Sequence, residues 1–116
     1  MLMDQLVKRL KALGDENRFR IMMMLTERPL CSCEMLEVLD IAGGTLSAHL
    51  KILKEAELIR QQKKGRWMEC SLADEETRRL IASLSEMLTS EEPFIADRSH
   101  IASRPPAIAQ PGSCRI

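Results

Sequence analysis

Leucines, isoleucines and methionines recur along the chain three and four residues apart, and each run ends at a glycine, a proline or a polar cluster. Leu6, Leu10 and Leu13, with Val7 beside the first, form one helical stripe that Gly14 closes. Asp15 suits the cap of a second helix, with Glu16 at its positive end. That helix carries Phe19, Ile21, Met22 and Leu25 and stops before Pro29. Its centre, Ile21-Met22-Met23-Met24-Leu25, has no polar side, which implies burial on most sides. A short third helix follows Ser32, with Met35, Leu36 and Leu39 inward. Asp40 to Gly44 reads as a turn, Gly43-Gly44 breaking any continuous helix, before a fourth helix centred on Ser47 to Lys54. Leu46, Leu50 and Leu53 give this fourth helix a single buried stripe. Short helix, short turn, second helix is a helix-turn-helix layout.

After it the period changes from helical to alternating. Met68, Cys70 and Leu72 fall on one face of a strand and Trp67, Glu69 and Ser71 on the other. With Leu58 to Lys63 before it and Lys64-Gly65 as a tight tip, the segment predicts a β-hairpin, a wing beside the fourth helix. A last helix from Asp74 carries Leu80, Ile81, Leu84, Met87 and Leu88 on one stripe and is expected to end before Pro93. That stripe lies outside the compact core, so a helical dimer interface is expected there, joined by Leu6 and Leu10 of the first helix. The expected fold is mainly α (α+β), a winged helix-turn-helix with a two-stranded β-hairpin wing. It spans residues 1–92, and 93–116, rich in Ser, Ala, Pro and Arg, reads as a disordered tail.

Composition narrows the chemistry. Aromatics make up 3% of the 116 residues, so the core must be Leu, Ile and Met. Formal net charge is +0, so attraction to a polyanion requires local segregation of charge. Segregation is present: Thr45 to Arg66 holds Lys51, Lys54, Arg60, Lys63, Lys64 and Arg66 against Glu55 and Glu57, a surplus of four positive charges. The exposed side of the fourth helix offers Thr45, Ser47, Ala48, His49 and Lys51, small and polar groups suited to base edges in a DNA major groove. Lys63, Lys64 and Arg66 suit phosphates. A solvated helix face and a lysine-rich hairpin tip explain the same charges but not their adjacency, so double-stranded DNA is the expected partner. No membrane association is expected: charge appears at Asp4, Lys8 and Arg9, and the longest strongly apolar run, Ile21 to Leu25, is far too short to span a bilayer. A cytoplasmic location follows as an expectation, and with it four cysteines kept as thiols for metal or redox chemistry. No catalytic triad, phosphate loop or paired-carboxylate pattern is visible, so an enzyme is not expected.

Four ordered segments carry a resemblance: Leu13-Gly14-Asp15-Glu16-Asn17-Arg18, Leu30-Cys31-Ser32-Cys33-Glu34, Leu46-Ser47-Ala48-His49-Leu50-Lys51-Ile52-Leu53 and Lys64-Gly65-Arg66-Trp67. From about Leu6 to Leu72 the chain resembles the ArsR/SmtB family of bacterial winged helix-turn-helix repressors. The resemblance implies a homodimer on palindromic operator DNA that leaves it when a metal ion binds. Leu30-Cys31-Ser32-Cys33 is similar to the arsenic-sensing branch, in which a Cys-Val-Cys-Asp-Leu-Cys run binds trivalent arsenic or antimony. That implies As(III) or Sb(III) as inducer at Cys31 and Cys33, with no organic cofactor. Leu36 stands where the run has its third cysteine, Gly43-Gly44 replaces more polar residues, and Cys70 stands where a Tyr is common. No His lies between Asp74 and Thr89, which argues against the family's zinc site on the last helix.

Cys31 and Cys33 flank a helix start, where thiols have depressed pKa values and the thiolate is the metal-binding form. Residues i and i+2 of a regular helix point about 200° apart, so gripping one ion requires Cys31 to precede the cap or the helix start to distort. Cys114 is an open candidate for a third soft ligand, Cys70 reads as a small core residue, and His100 as bland. His49 is read as a DNA contact or a packing residue. Two other regulators of the same fold stay open: a thiol redox sensor, and one that responds to no ligand.

Overall fold

A computed structural model of the chain describes residues 2–88 and 91–104. The elements run α1 (Leu2–Leu13), α2 (Glu16–Glu27), β1 (Leu30–Cys31), α3 (Ser32–Val38), α4 (Gly43–Glu55), β2 (Ile59–Lys64), β3 (Trp67–Leu72), α5 (Glu75–Ser85) and α6 (Phe94–Ser103). Helix α2 is the axis of the molecule. Ile21 to Leu25 are all buried, as a helix with no polar centre must be, and α1, α4, α5, α6 and β3 pack around it. Asp15 caps it, accepting a hydrogen bond from the Arg18 backbone N–H at 3.1 Å, and Asp74 caps α5 by accepting from Thr77 at 2.8 Å. Leu46, Leu50 and Leu53 dock α4 on this core.

The hairpin is part of a larger sheet. β2 and β3 pair antiparallel with Lys64 opposite Trp67, so the two-residue tip is Gly65-Arg66 and not Lys64-Gly65. Gly65 takes φ +63, the positive value that the first position of such a loop demands. The two-residue β1 adds a third strand, in the order β1-β3-β2, with Leu30 opposite Cys70 and Cys31 opposite Glu69. Both edges of β3 are therefore paired. Leu30, Cys70 and Leu72 join the main core, while Trp67, on the opposite face of β3, is buried against Cys31 and Cys33.

Three further expectations are corrected. Leu36 points outward, because the seven-residue α3 turns Glu34 and Met35 inward, with Leu39 buried at its end, and leaves Leu36 on the exposed side. Gly43 and Gly44 form the first turn of α4 and do not precede it. Helix α5 ends before Pro93 as expected, though at Ser85 and so short of Met87 and Leu88, and residues 94–103, expected in a disordered tail, form α6 across α2. Phe94 and Ile101 are buried there, and the Phe94 ring meets Phe19 edge-to-face with centroids 5.7 Å apart. Between them Asp97 is buried and accepts two hydrogen bonds from Arg20, at 2.8 and 2.9 Å. A buried carboxylate needs such a partner, and no pattern of apolar residues announces it.

Candidate functional site

Two regions bear chemistry. The first is the outer face of α4 with the wing. Thr45, Ser47, Ala48 and Lys51 are all exposed. Ala42, at the cap of α4, gives no side-chain acceptor, so the N–H groups of the first turn are left to an outside partner. Gly43 and Gly44 leave that turn bare: a Cβ on either would meet nothing within 4 Å, so no packing inside the chain requires a glycine at these positions. Lys63, Lys64 and Arg66 are exposed at the end of the wing. Between α4 and the wing lies a cleft of about 420 Å³, edged by Ser32, Ser47, Lys51, Lys54 and Gln61, with Cys70 at its inner wall and no carboxylate in its lining. Ser32, Lys54 and Gln61 were not among the predicted contacts. Lys54 was visible in the basic surplus, whereas Ser32 and Gln61 reach the cleft only through the fold. Glu69 is the one carboxylate paired with a wing lysine among the described residues, 3.1 Å from Lys64 Nζ.

His49 does not lie with the other predicted base contacts. Its side chain is 13% exposed, with Nδ1 3.2 Å from Arg18 Nη1 and 3.9 Å from Asp15 Oδ2. It packs α4 onto α2, and of the two sequence readings the packing one matches this geometry. The cause is the pitch of the helix: His49 follows the buried Leu46 by three residues and sits on the edge of the buried stripe.

The second region is the start of α3. Cys31 is the cap residue, extended at φ −86 and ψ 158, so it does stand ahead of the regular helix and its side chain can lie beside that of Cys33. Both pack with Trp67. Glu34 reaches back to accept from the Cys31 backbone N–H at 2.9 Å and pairs with Arg28 at 2.8 Å. The Cys31 thiol is not activated by the helix start. Burial, followed by the negative charges of Glu34 and Glu69, pushes it up to about 11, the opposite of the depressed value expected. Burial also pushes Cys70 up, against a hydrogen bond from Gln61. Cys31 and Cys70 are free thiols, whereas Cys33 is disulfide-bonded. Cys114 lies outside the described residues. Among the described residues no group of three His, Cys, Asp or Glu side chains is placed to hold a metal ion.

The predicted interface residues divide. Leu6 and Leu10 are each 53% exposed, on a face of α1 that also presents Leu2, Met3 and Val7. Ile81 is fully buried in the chain's own core, and Leu80, Leu84 and Leu88 pack partly against it. Met87, beyond the end of α5, is exposed.

A helix-turn-helix flanked by a sheet hairpin, with a basic cleft between reading helix and hairpin, defines a winged helix-turn-helix protein. A sequence profile described as "Bacterial regulatory protein, arsR family" matches residues 15–61. The arsenical resistance operon repressor of Bacillus subtilis (strain 168) is 38% identical over 82 residues, covering 70% of this chain and 78% of that protein. HlyU from Vibrio cholerae N16961 superposes with a TM-score of 0.71 at 26% identity, over 76% of this chain and 96% of that one, and has a second structure described as reduced. The winged helix-turn-helix domain of Mb0332 from Mycobacterium bovis, described as homodimeric, gives a TM-score of 0.70 at 26% identity, over 74% of this chain and 80% of that one. The chain belongs to the arsR family of bacterial regulatory proteins. It is a DNA-binding transcriptional regulator of that family and not an enzyme. No helix among the described residues is long and apolar enough to cross a membrane.

Proposed function

We propose that the chain is a cytoplasmic, homodimeric repressor that leaves its operator when As(III) or Sb(III) binds at Cys31 and Cys33. The observation that carries this reading is the packing of both side chains together at the first turn of α3, the helix that braces α4. The similarity to an arsenical resistance operon repressor supports the metalloid. Binding there requires Cys33 to be reduced, the Cys31 proton to leave, and a third donor, for which Cys114 is the candidate within the chain. An ion that prefers the DNA-free arrangement of α3 weakens DNA binding by the same factor by which DNA weakens ion binding. Thr45, Ser47, Ala48 and Lys51 would face base edges, with Lys63, Lys64 and Arg66 on phosphates. The exposed apolar face of α1 supplies the dimer contact, together with Met87 and the outer edges of Leu80, Leu84 and Leu88.

The test is release of a selected operator duplex by arsenite and antimonite in the reduced protein. Cys31→Ser and Cys33→Ser should each keep operator binding and abolish release, whereas Cys70→Ser should keep both. A Cys31→Ser/Cys33→Ser double variant that still leaves its operator at the wild-type arsenite concentration would overturn the metalloid reading. The disulfide at Cys33 favours a second reading, in which oxidation of that thiol is itself the signal. Release by an oxidant and not by arsenite, reversed by a dithiol and lost in Cys33→Ser, would select it. Light scattering that gives a monomer at micromolar concentration would remove the dimer from either reading.

A further inference from the structure

One arginine joins three helices. Arg18 lies in the first turn of α2, and its backbone N–H is already held by Asp15. Its guanidinium donates from Nε to the Ala12 carbonyl at 2.6 Å and from Nη2 toward the Lys11 carbonyl at 3.4 Å. Both carbonyls belong to the last turn of α1, where helix carbonyls have no partner within the helix; that of Lys11 also accepts from the Gly14 backbone N–H at 3.2 Å. The remaining nitrogen, Nη1, lies 3.2 Å from Nδ1 of His49 on α4. The planar fork of an arginine can serve three directions at once, and a lysine ammonium cannot reproduce that geometry.

We infer that Arg18 and His49 are positioning residues for operator recognition, fixing the angle of the reading helix against α1 and thereby the separation of the two reading helices in a dimer. This rests on the DNA and dimer readings above. Arginine has donors only, so at 3.2 Å the imidazole Nδ1 must be the acceptor, with its proton on Nε2. The Asp15 carboxylate, which would favour a proton on Nδ1, is farther away at 3.9 Å, and the shorter contact decides. Two half-sites must match two reading helices about one DNA turn apart, roughly 34–36 Å. A few degrees of freedom at α4 therefore blur the spacing between half-sites before they alter which bases are read.

The experiment selects duplexes from a random-sequence library with the wild-type protein, then varies the spacer of the selected site by one base pair in each direction. Arg18→Lys and His49→Phe should each lower affinity for the native spacing about tenfold, the worth of one hydrogen bond to a charged group. Their preference among spacers should flatten, with the base preference of each half-site and the salt slope unchanged. His49→Asn, which keeps an acceptor near the Nδ1 position, should retain the wild-type spacing preference. A change of preferred base in the His49 variants would make His49 a base contact and overturn the inference. So would an undiminished spacing preference in Arg18→Lys and His49→Phe. In the DNA-free protein, ¹⁵N spectra of the neutral imidazole should show the proton on Nε2, and a proton on Nδ1 overturns the arrangement on its own. A wild-type chain that enriches no duplex counts against the DNA reading, while the tautomer still decides the Arg18–His49 contact.

Discussion

The face of α4 and the start of α3 are neighbours in the fold and opposites in character. The first is open: its serine, threonine and lysines stand in solvent, and its helix begins with two glycines and no side-chain cap. The second is shut: Cys31 is 3% exposed under Trp67, its thiol is pushed up to about 11, and Cys33 is disulfide-bonded. A surface that meets a large, rigid polyanion can be ready-made, since binding costs little rearrangement there. A ligand-responsive site that is closed in one state can report on the ligand by being opened, because an ion shifts an equilibrium only by its differential affinity for two states. The two regions share one side chain, Glu69, which pairs with Lys64 on the wing and raises the thiol of Cys31.

The largest effect is expected from taking away the cover. Trp67→Ala should cost about 3–5 kcal/mol of stability by denaturant unfolding, as large-to-small changes of buried aromatics do. It should also speed labelling of Cys31 by a thiol reagent at fixed pH. Labelling at the wild-type rate would mean that Cys31 is not closed off by Trp67. Next comes the thiol itself. Below pH 9 the folded and unfolded chains both hold the Cys31 proton, and between about 9 and 11 only the folded chain keeps it. The unfolded state therefore gains over that window and stability falls as pH rises. In Cys31→Ser this part of the fall should vanish, and parallel stability–pH curves for the two proteins would refute the raised value.

A smaller effect belongs to the open face. Lys64→Ala should weaken binding to all duplexes alike and reduce the slope of log affinity against log salt by about 1. An unchanged slope would show that the tip of the wing does not touch phosphate. The smallest effect tests the link between the regions. Glu69→Gln frees Lys64 and removes a negative charge near Cys31, so DNA affinity should rise by a few-fold, as loss of a partly exposed ion pair permits. The thiol should meanwhile titrate at lower pH. If only one of the two responses appeared, Glu69 would not join the regions.

The sequence by itself determined what is local or periodic. The leucine stripes of α1 and α4, the cap at Asp15, the helix start at Asp74, the apolar centre of α2 and the switch from helical to alternating pattern at the hairpin all follow from contacts within a few residues. The reading helix and its basic neighbourhood were legible for the same reason, since Thr45 to Arg66 is one continuous stretch. Only the tertiary structure decided what depends on residues far apart. It turned His49 toward Arg18, 31 positions away, and Asp97 toward Arg20, 77 positions away, a contact that ties α6 to α2. It also laid Trp67 over Cys31 by adding β1 to the sheet, which inverted the expected acidity of that thiol. The physical reason is the same in each case. A helix start favours a thiolate, but burial beside two carboxylates opposes it more strongly, and burial is a property of the assembled fold and not of any segment.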